Sequence, residues 1–273
     1  MNKKNVTIIT PTYNEESNIS DVLKGLMNVS VGEHLNTWCI NILVVDGNSS
    51  DETVSKVKKL QQYQSNIYLI QEKSKSGIGT AYVHGFQYAV NNLHSDVIIE
   101  MDGDLQHPPE TIVPMLHKID QGYDYVLASR QIAGGSIPEN WGFYREKMSK
   151  WGGWLARYIL LYPSSSYKSI TDITTGFKAS RVNGFVDSID LSSIHSKSFA
   201  YKLELLHSMV GLKAKTCEIP LSFQPRNSGK SKMTIITPFE ILWIVVVLRL
   251  ESFYHKKTNS TSVPMPGEIF DIN

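Results

Sequence analysis

The sequence predicts an α/β domain with a mostly parallel central sheet flanked by helices. Apolar runs of strand length alternate with helix-patterned segments through the first half of the chain, as βαβ units do. The runs are short and nearly continuous, the pattern of strands buried on both faces. They lead into polar loops, and in parallel sheets the crevice beyond the carboxyl ends of the strands is where ligands bind.

Val6–Thr10 reads as the first strand, and Pro11-Thr-Tyr-Asn-Glu-Glu16 is a polar loop leading to a helix from about Ser17. Ile40–Val45 is the second strand, ending at Asp46-Gly-Asn-Ser-Ser-Asp51. Val54, Val57 and Leu60 then recur at three-residue spacing and give the next helix one apolar face. Ile67–Ile70 is a third strand, Ala81–Leu93 a helix, and Val97–Met101 a fourth strand. Gly77 and Gly79 precede that helix. Their turn lacks the full dinucleotide-binding spacing, so it reads as a helix start.

The most informative segment is Val97 to Glu110, where the fourth strand ends at Asp102-Gly-Asp104 and Pro108 and Pro109 follow. Residues two apart at a strand end share a side, so both carboxylates can face one site. Gly103 between them is expected to leave room for a ligand at the backbone. Two hard oxygen donors with few other ligands suit Mg²⁺ or Mn²⁺ held jointly with a phosphorylated substrate; the plainer reading is a solvated acidic turn. Tyr13, Asp46 and Asp102 all fall just past strand ends, and such placement lets them converge on one crevice.

At 273 residues the chain is long enough for a full core, and its 41% apolar and 19% charged content are ordinary for a globular protein. A formal net charge of +1 excludes a strongly basic nucleic-acid binder. Cys39 and Cys217, both beside apolar residues, read as buried free thiols in a reducing compartment. The apolar stretch after Lys3 and Lys4 is too short for a signal peptide, so the start reads as strand one on the cytoplasmic side of any membrane. His84, His94, His107 and His117 show no zinc spacing, and His107 reads as a loop residue.

The second half differs. From Asn140 to Tyr162, large amphipathic groups (Trp141, Phe143, Trp151, Trp154, Tyr158) alternate with Arg145, Lys147, Lys150 and Arg157. That mixture fits a helix at a membrane interface, or one packing its aromatics on the sheet. The run Ile241–Leu248 falls short of the roughly 20 residues a spanning helix needs, so an interfacial or docking helix is expected there. The expected organisation is a catalytic domain over 1–233 with the interfacial helix at about 140–162. A membrane-associating or docking helix follows over 234–257, then a disordered tail over 258–273.

Several pieces together resemble the family 2 glycosyltransferases, specifically the polyprenol-phosphate (dolichol-phosphate) mannosyltransferase type. They are Pro11-Thr-Tyr-Asn-Glu15, Val44-Val-Asp-Gly47 with Ser50-Asp51, Asp102-Gly-Asp-Leu-Gln-His-Pro-Pro109, Ala128-Ser-Arg130, Asp172-Ile-Thr-Thr-Gly-Phe-Lys178 and Arg226-Asn-Ser-Gly-Lys-Ser-Lys232. Each is weak alone; in this order and spacing they are specific, and they span Val6 to Met233.

The resemblance implies a nucleotide-sugar-binding fold of the GT-A type, a divalent Mg²⁺ or Mn²⁺, and inverting transfer of one hexose to a lipid phosphate. It implies that Pro11, Tyr13, Glu15, Val44 and Asp46 hold the nucleoside, that Asp102 and Gly103 line the sugar nucleotide, and that Asp104 and Gln106 bind the metal. Gly103 is a mild departure, since the family often has alanine there. Arg226 and Lys232 would close over the diphosphate, and Arg130 and Arg145 would grip the acceptor phosphate, to which arginine donates in a planar fork. Asp172 would be a site carboxylate near sugar or acceptor, or else cap a turn through its own backbone. Glu204 lies where related enzymes carry an acidic residue, and a structural role fits it equally.

The leading expectation is therefore a peripheral or monotopic enzyme on the cytoplasmic face of a membrane, moving mannose from GDP-mannose to a polyprenyl phosphate, with or without a small membrane-anchor subunit. One alternative uses UDP-glucose or another UDP-sugar on an undecaprenyl-type phosphate. Many such relatives carry two or more spanning helices after the catalytic domain; this chain is expected to end without them, which modestly favours mannose. A second transfers to a hydroxyl of a surface polysaccharide, with Asp172 as general base. A remote third is a non-catalytic lipid- or partner-binding subunit.

Overall fold

The computed structural model describes residues 3–30, 35–138, 153–160, 167, 169–226 and 237–260, the last helix without the side chains of Pro238 and 252–260. Seven strands form one sheet in the order β3-β2-β1-β4-β6-β5-β7. β1 (Lys4–Thr12), β2 (Trp38–Asp46), β3 (Ile67–Gln71) and β4 (Val97–Glu100) run parallel, joined by α1 (Ile19–Ser30), α2 (Thr53–Gln61) and α3 (Ile78–Asn91). The alternation read from the sequence is thus the first half of the fold, with strand ends shifted by one or two residues.

Past β4 the sheet changes character. α4 (Ile112–Asp120) leads to β5 (Tyr125–Ser129), and β6 (Lys178–Arg181) inserts between β4 and β5, antiparallel to both. β7 (Thr216–Pro220) adds to the far edge parallel to β5. Two helical layers cover the sheet. One core joins α1, α2 and α4 to Val6, Ile8, Ile42, Val44, Val97 and Ile99; the other joins α3, α6 (Tyr201–Gly211) and α7 (Thr237–Ser260) to Ile9, Leu43, Val45 and Ile98. Alternate residues of each central strand feed opposite cores, as the pleat requires.

Residues 153–160 are helical, and this helix (α5) buries Ala156 and Leu160 while leaving Trp154, Leu155 and Tyr158 exposed. Its large aromatics therefore face away from the core. α7 behaves likewise: Ile244, Val245 and Leu248 are buried, whereas Phe239 and Trp243 are 70% and 66% exposed. It runs to Ser260, three residues into the expected tail. Among the described residues, no helix is long and apolar enough to cross a membrane.

The thiols need correction. Both are free, but Cys39 is exposed and Cys217 only partly buried. Cys39 is the second residue of β2, the one outward position in an otherwise buried strand. Apolar neighbours in sequence did not place it inside, because adjacent strand residues face opposite ways.

Candidate active site

The loop after β4 is tied down from three sides. His107, 2% exposed, accepts the Asp102 backbone N–H at Nδ1 (3.0 Å) and lies between Phe177 and Phe223, its ring centroid 4.8 and 5.4 Å from theirs. Burial lowers the pKa of this imidazole although Asp102 and Asp104 pull it up, so it serves as a neutral acceptor that fixes the strand end. Leu105 adopts a left-handed backbone (φ +65), sparsely populated for a branched side chain. At the same turn the Gln106 N–H donates to Asp104 Oδ1 at 3.1 Å. Strain of this kind is concentrated at functional loops.

Asp102 and Asp104 take different partners. Asp102 accepts the Tyr82 hydroxyl at Oδ1 (3.0 Å) and has the Lys202 ammonium 3.6 Å from Oδ2. Burial raises its pKa, but Lys202 and the other neighbours outweigh that and leave it below the usual carboxylate value. Asp104 pairs with the Arg226 guanidinium. Gln106 donates its amide N–H to the Gln224 carbonyl (3.1 Å), and the Gln224 N–H returns a bond to the Gln106 carbonyl (3.0 Å). The Gln106 side-chain oxygen and the Asp104 carboxylate are hard donors two residues apart in one turn, and such a donor set fits a divalent ion shared with a diphosphate. Among the described residues no cluster of three or more His, Cys, Asp or Glu side chains could hold a metal by itself. A metal here would take Asp104, Gln106 and oxygens from the substrate.

Gly103 has a packing role that its sequence reading did not include. A Cβ there would meet Thr10 Cγ2 at 3.0 Å, the Pro11 carbonyl at 3.3 Å and Thr12 Cγ2 at 3.3 Å. The glycine lets the loop pack closely against the carboxyl end of β1. It also joins the loop to the end of β1, beside which β2 ends at Asp46; the nucleoside residues were expected at these two strand ends. Asp46 is fully buried and accepts from Thr12 Oγ1 (3.1 Å), Ser49 Oγ (2.6 Å) and the Ser49 N–H (2.8 Å). Tyr13 carries the Lys75 ammonium 3.9 Å over its ring. Glu15 is buried and accepts the Asn18 amide (2.8 Å), while its N–H donates to Thr53 Oγ1 (2.8 Å). Pro11, next to last in β1, is half-buried, whereas Val44 is fully buried and its side chain serves the core.

Arg130, at the end of β5, meets Asp172 in a two-pronged pair, Nε to Oδ2 and Nη2 to Oδ1, both 2.7 Å. The Arg130 N–H also donates to Asp172 Oδ2 (3.0 Å), and Nη2 to Thr174 Oγ1 (3.0 Å). Burial works against ionisation of both groups, yet each holds the other charged: the Arg130 pKa is raised and that of Asp172 lowered. Nη1 keeps its N–H groups uncommitted to the described residues. Behind the pair, Glu218 on β7 accepts the N–H groups of Thr171 (3.0 Å) and Asp172 (2.8 Å). Sequence reasoning passed over Glu218, Tyr82 and Lys202; an acidic, an aromatic and a basic residue inside otherwise apolar segments was the available signal. Arg145 and Lys232 lie outside the described residues, so their expected roles rest on the resemblance alone.

The glycines at 77 and 79 have a structural use. A Cβ on either would collide with the backbone carbonyls of Lys197 and Ser196, and the Gly79 N–H donates to the Lys197 carbonyl (2.9 Å). Glu204 braces the same segment by accepting the N–H groups of His195 and Ser196, both at 2.8 Å. The turn starts α3 and seats the loop before α6.

Strand-end loops thus bring Asp104 with Arg226, Asp102 with Lys202, Arg130 with Asp172, and the buried Asp46 to the carboxyl ends of strands in a largely parallel sheet. The Glycosyl transferase family 2 model matches residues 7–187, and the chain belongs to that family. It is 31% identical over 228 residues to the polyprenol monophosphomannose synthase of Mycolicibacterium smegmatis, covering 83% of this chain and 80% of that one. It is 34% identical over 237 residues to the dolichol-phosphate mannosyltransferase of Pyrococcus furiosus, covering 87% of this chain and 61% of that relative's length. The fold is shared with glucosyl-3-phosphoglycerate synthase of Mycobacterium tuberculosis, solved with Mn²⁺, UDP and glucosyl-3-phosphoglycerate. That likeness has a TM-score of 0.61 at 14% identity, over 90% of this chain and 80% of that chain.

Proposed function

We propose that this protein transfers mannose from GDP-mannose to a polyprenyl phosphate, with inversion at the sugar. The observation that carries the reading is the split of the acidic pair: Asp104 sits with Gln106 and Arg226 where a diphosphate can be received, while Asp102 is held apart by Tyr82 and Lys202. The names of the relatives supply the sugar and the lipid.

Asp104 and Gln106 would hold a divalent ion, and that ion supplies neutralisation of the charge growing on the leaving diphosphate. Arg226 would move from Asp104 to the diphosphate, giving a second positive group to the leaving oxygens. Asp102 would fix the sugar by accepting from its hydroxyls. An acceptor phosphate oxygen attacks the anomeric carbon, the bond from that carbon to the diphosphate breaks, and GDP departs with the electron pair. The attacking phosphate is already anionic, so no general base is required. Asp172 supports this reading because Arg130 occupies it: a carboxylate in a two-pronged pair is a poor base, which disfavours a hydroxyl acceptor.

The exposed Trp154, Tyr158, Phe239 and Trp243 support seating on a membrane surface, where a lipid phosphate is presented. The test offers GDP-mannose and UDP-glucose in parallel with polyprenyl phosphate and Mn²⁺. Lipid-extractable label from GDP-mannose alone is expected; label from UDP-glucose alone overturns the donor.

A further inference from the structure

We infer that Lys202 is a positioning residue for Asp102, its ammonium lying in the space that a side chain at Gly176 would take. This rests on the proposed reading, in which Asp102 touches the donor sugar. Lys202 is 5% exposed, in the first turn of α6, and a lysine so buried requires partners.

The stem of Lys202 leaves from a fixed point. The Lys178 ammonium donates to the Lys202 carbonyl (2.9 Å), and the neighbouring Tyr201 hydroxyl donates to Glu100 Oε2 (2.7 Å). Glu100 and Lys178 are direct partners across the antiparallel β4–β6 pair. Two adjacent strands therefore hold the two residues that begin α6. From there the side chain passes Phe199, with its nitrogen 5.4 Å over that ring, and ends 3.6 Å from Asp102 Oδ2.

Asp102 is thereby gripped at three places: Oδ1 by Tyr82, Oδ2 by Lys202, and its backbone N–H by His107. Such a carboxylate cannot swing when a sugar arrives, which is the preorganisation a transferase requires of a group that orients its substrate. Gly176 shows that the space is reserved. A Cβ there would collide with the Lys202 ammonium and stand 3.2 Å from Asp102 Oδ2. A side chain there would displace the lysine end and with it the contact to Asp102.

The test compares wild type, Lys202→Met, Gly176→Ala and the double variant, assayed well below their melting temperatures. Lys202→Met is expected to lower kcat about ten- to a hundredfold, the scale of a misplaced orienting group, with the KM for polyprenyl phosphate unchanged. Gly176→Ala keeps the charge but pushes the ammonium off Asp102, and it should lose kcat to a similar degree. The double variant should be no worse than either single one, since methionine leaves room for the new methyl. A wild-type kcat in Lys202→Met, or losses that multiply in the double variant, would overturn the inference. Crystal structures of wild type and Lys202→Met decide it independently of turnover. A rotated Asp102 carboxylate supports it, and one that superposes on wild type refutes it. If wild type itself moves no mannose, the functional reading fails, and the crystal pair still judges the positioning.

Discussion

Arg130 and Asp172 form a two-pronged ion pair in which the arginine side chain is 10% exposed and the carboxylate 1%. The pair joins the end of β5 to the segment entering β6, and Glu218 holds its far side. An arginine expected to meet an acceptor phosphate is thus already aimed by an internal carboxylate, which leaves Nη1 as its outward edge.

Removing one partner should cost more than removing both. Arg130→Ala strands a buried carboxylate and is expected to destabilise by about 3–5 kcal/mol, whereas Arg130→Met with Asp172→Leu should recover most of that loss. Urea unfolding measures both. An Arg130→Ala protein as stable as wild type would remove the pair from the account of stability.

The same pair sets an acid dependence. Burial pushes Asp172 up, Arg130 overrides it, and the folded pKa falls below the unfolded value of about 3.9. A depressed carboxylate contributes stability that is complete above the unfolded value and lost as pH falls through the folded one. Wild type should therefore lose stability steeply below about pH 4, and Asp172→Asn less steeply. Parallel acid limbs in the two proteins would contradict the pairing.

Asp104→Ala tests the metal assignment. The residue sits in a loop, and its partner Arg226 is 21% exposed, so the fold should hold with a loss on the order of 1 kcal/mol. Turnover should drop by roughly a hundredfold or more, and dependence on Mn²⁺ should vanish. Metal-stimulated activity persisting in this variant would place the ion elsewhere.

Gly77→Ala should act on stability and not on nucleotide affinity. Gly77 has φ +102 and packs against the Lys197 carbonyl, so a methyl group combines backbone strain with overpacking. A loss of roughly 2–4 kcal/mol is expected by denaturant unfolding, with GDP affinity by calorimetry unchanged. Weaker GDP binding at full stability would make the turn a ligand loop after all.

Sequence pattern revealed β1 to β4 because each is a run of apolar residues. It could not reveal β6, Lys-Ala-Ser-Arg, in which three of four residues are polar although Lys178 and Ser180 are buried. α6 was hidden for a related reason: Tyr201, Lys202, Leu203, Glu204, Leu205 and Leu206 are consecutive and all buried, so the helix has no polar face to give it a period. Asp102 and Asp104 were legible as a local pair. Their partners were not, because Tyr82 lies 20 positions away and Arg226 lies 122, and only the closed sheet brings them together. Gly103 and Gly77 were visible as glycines, yet what each one touches depends on packing that spacing does not encode.

The central claim is that the acceptor is a phosphate, which attacks the sugar's anomeric carbon without a general base. Incubating the protein with labelled GDP-mannose and Mn²⁺, in vesicles carrying either polyprenyl phosphate or the corresponding polyprenol, tests it most directly. The account predicts lipid-extractable mannose with the phosphate and none with the alcohol. Equal labelling of both lipids, or labelling of the alcohol alone, would contradict it.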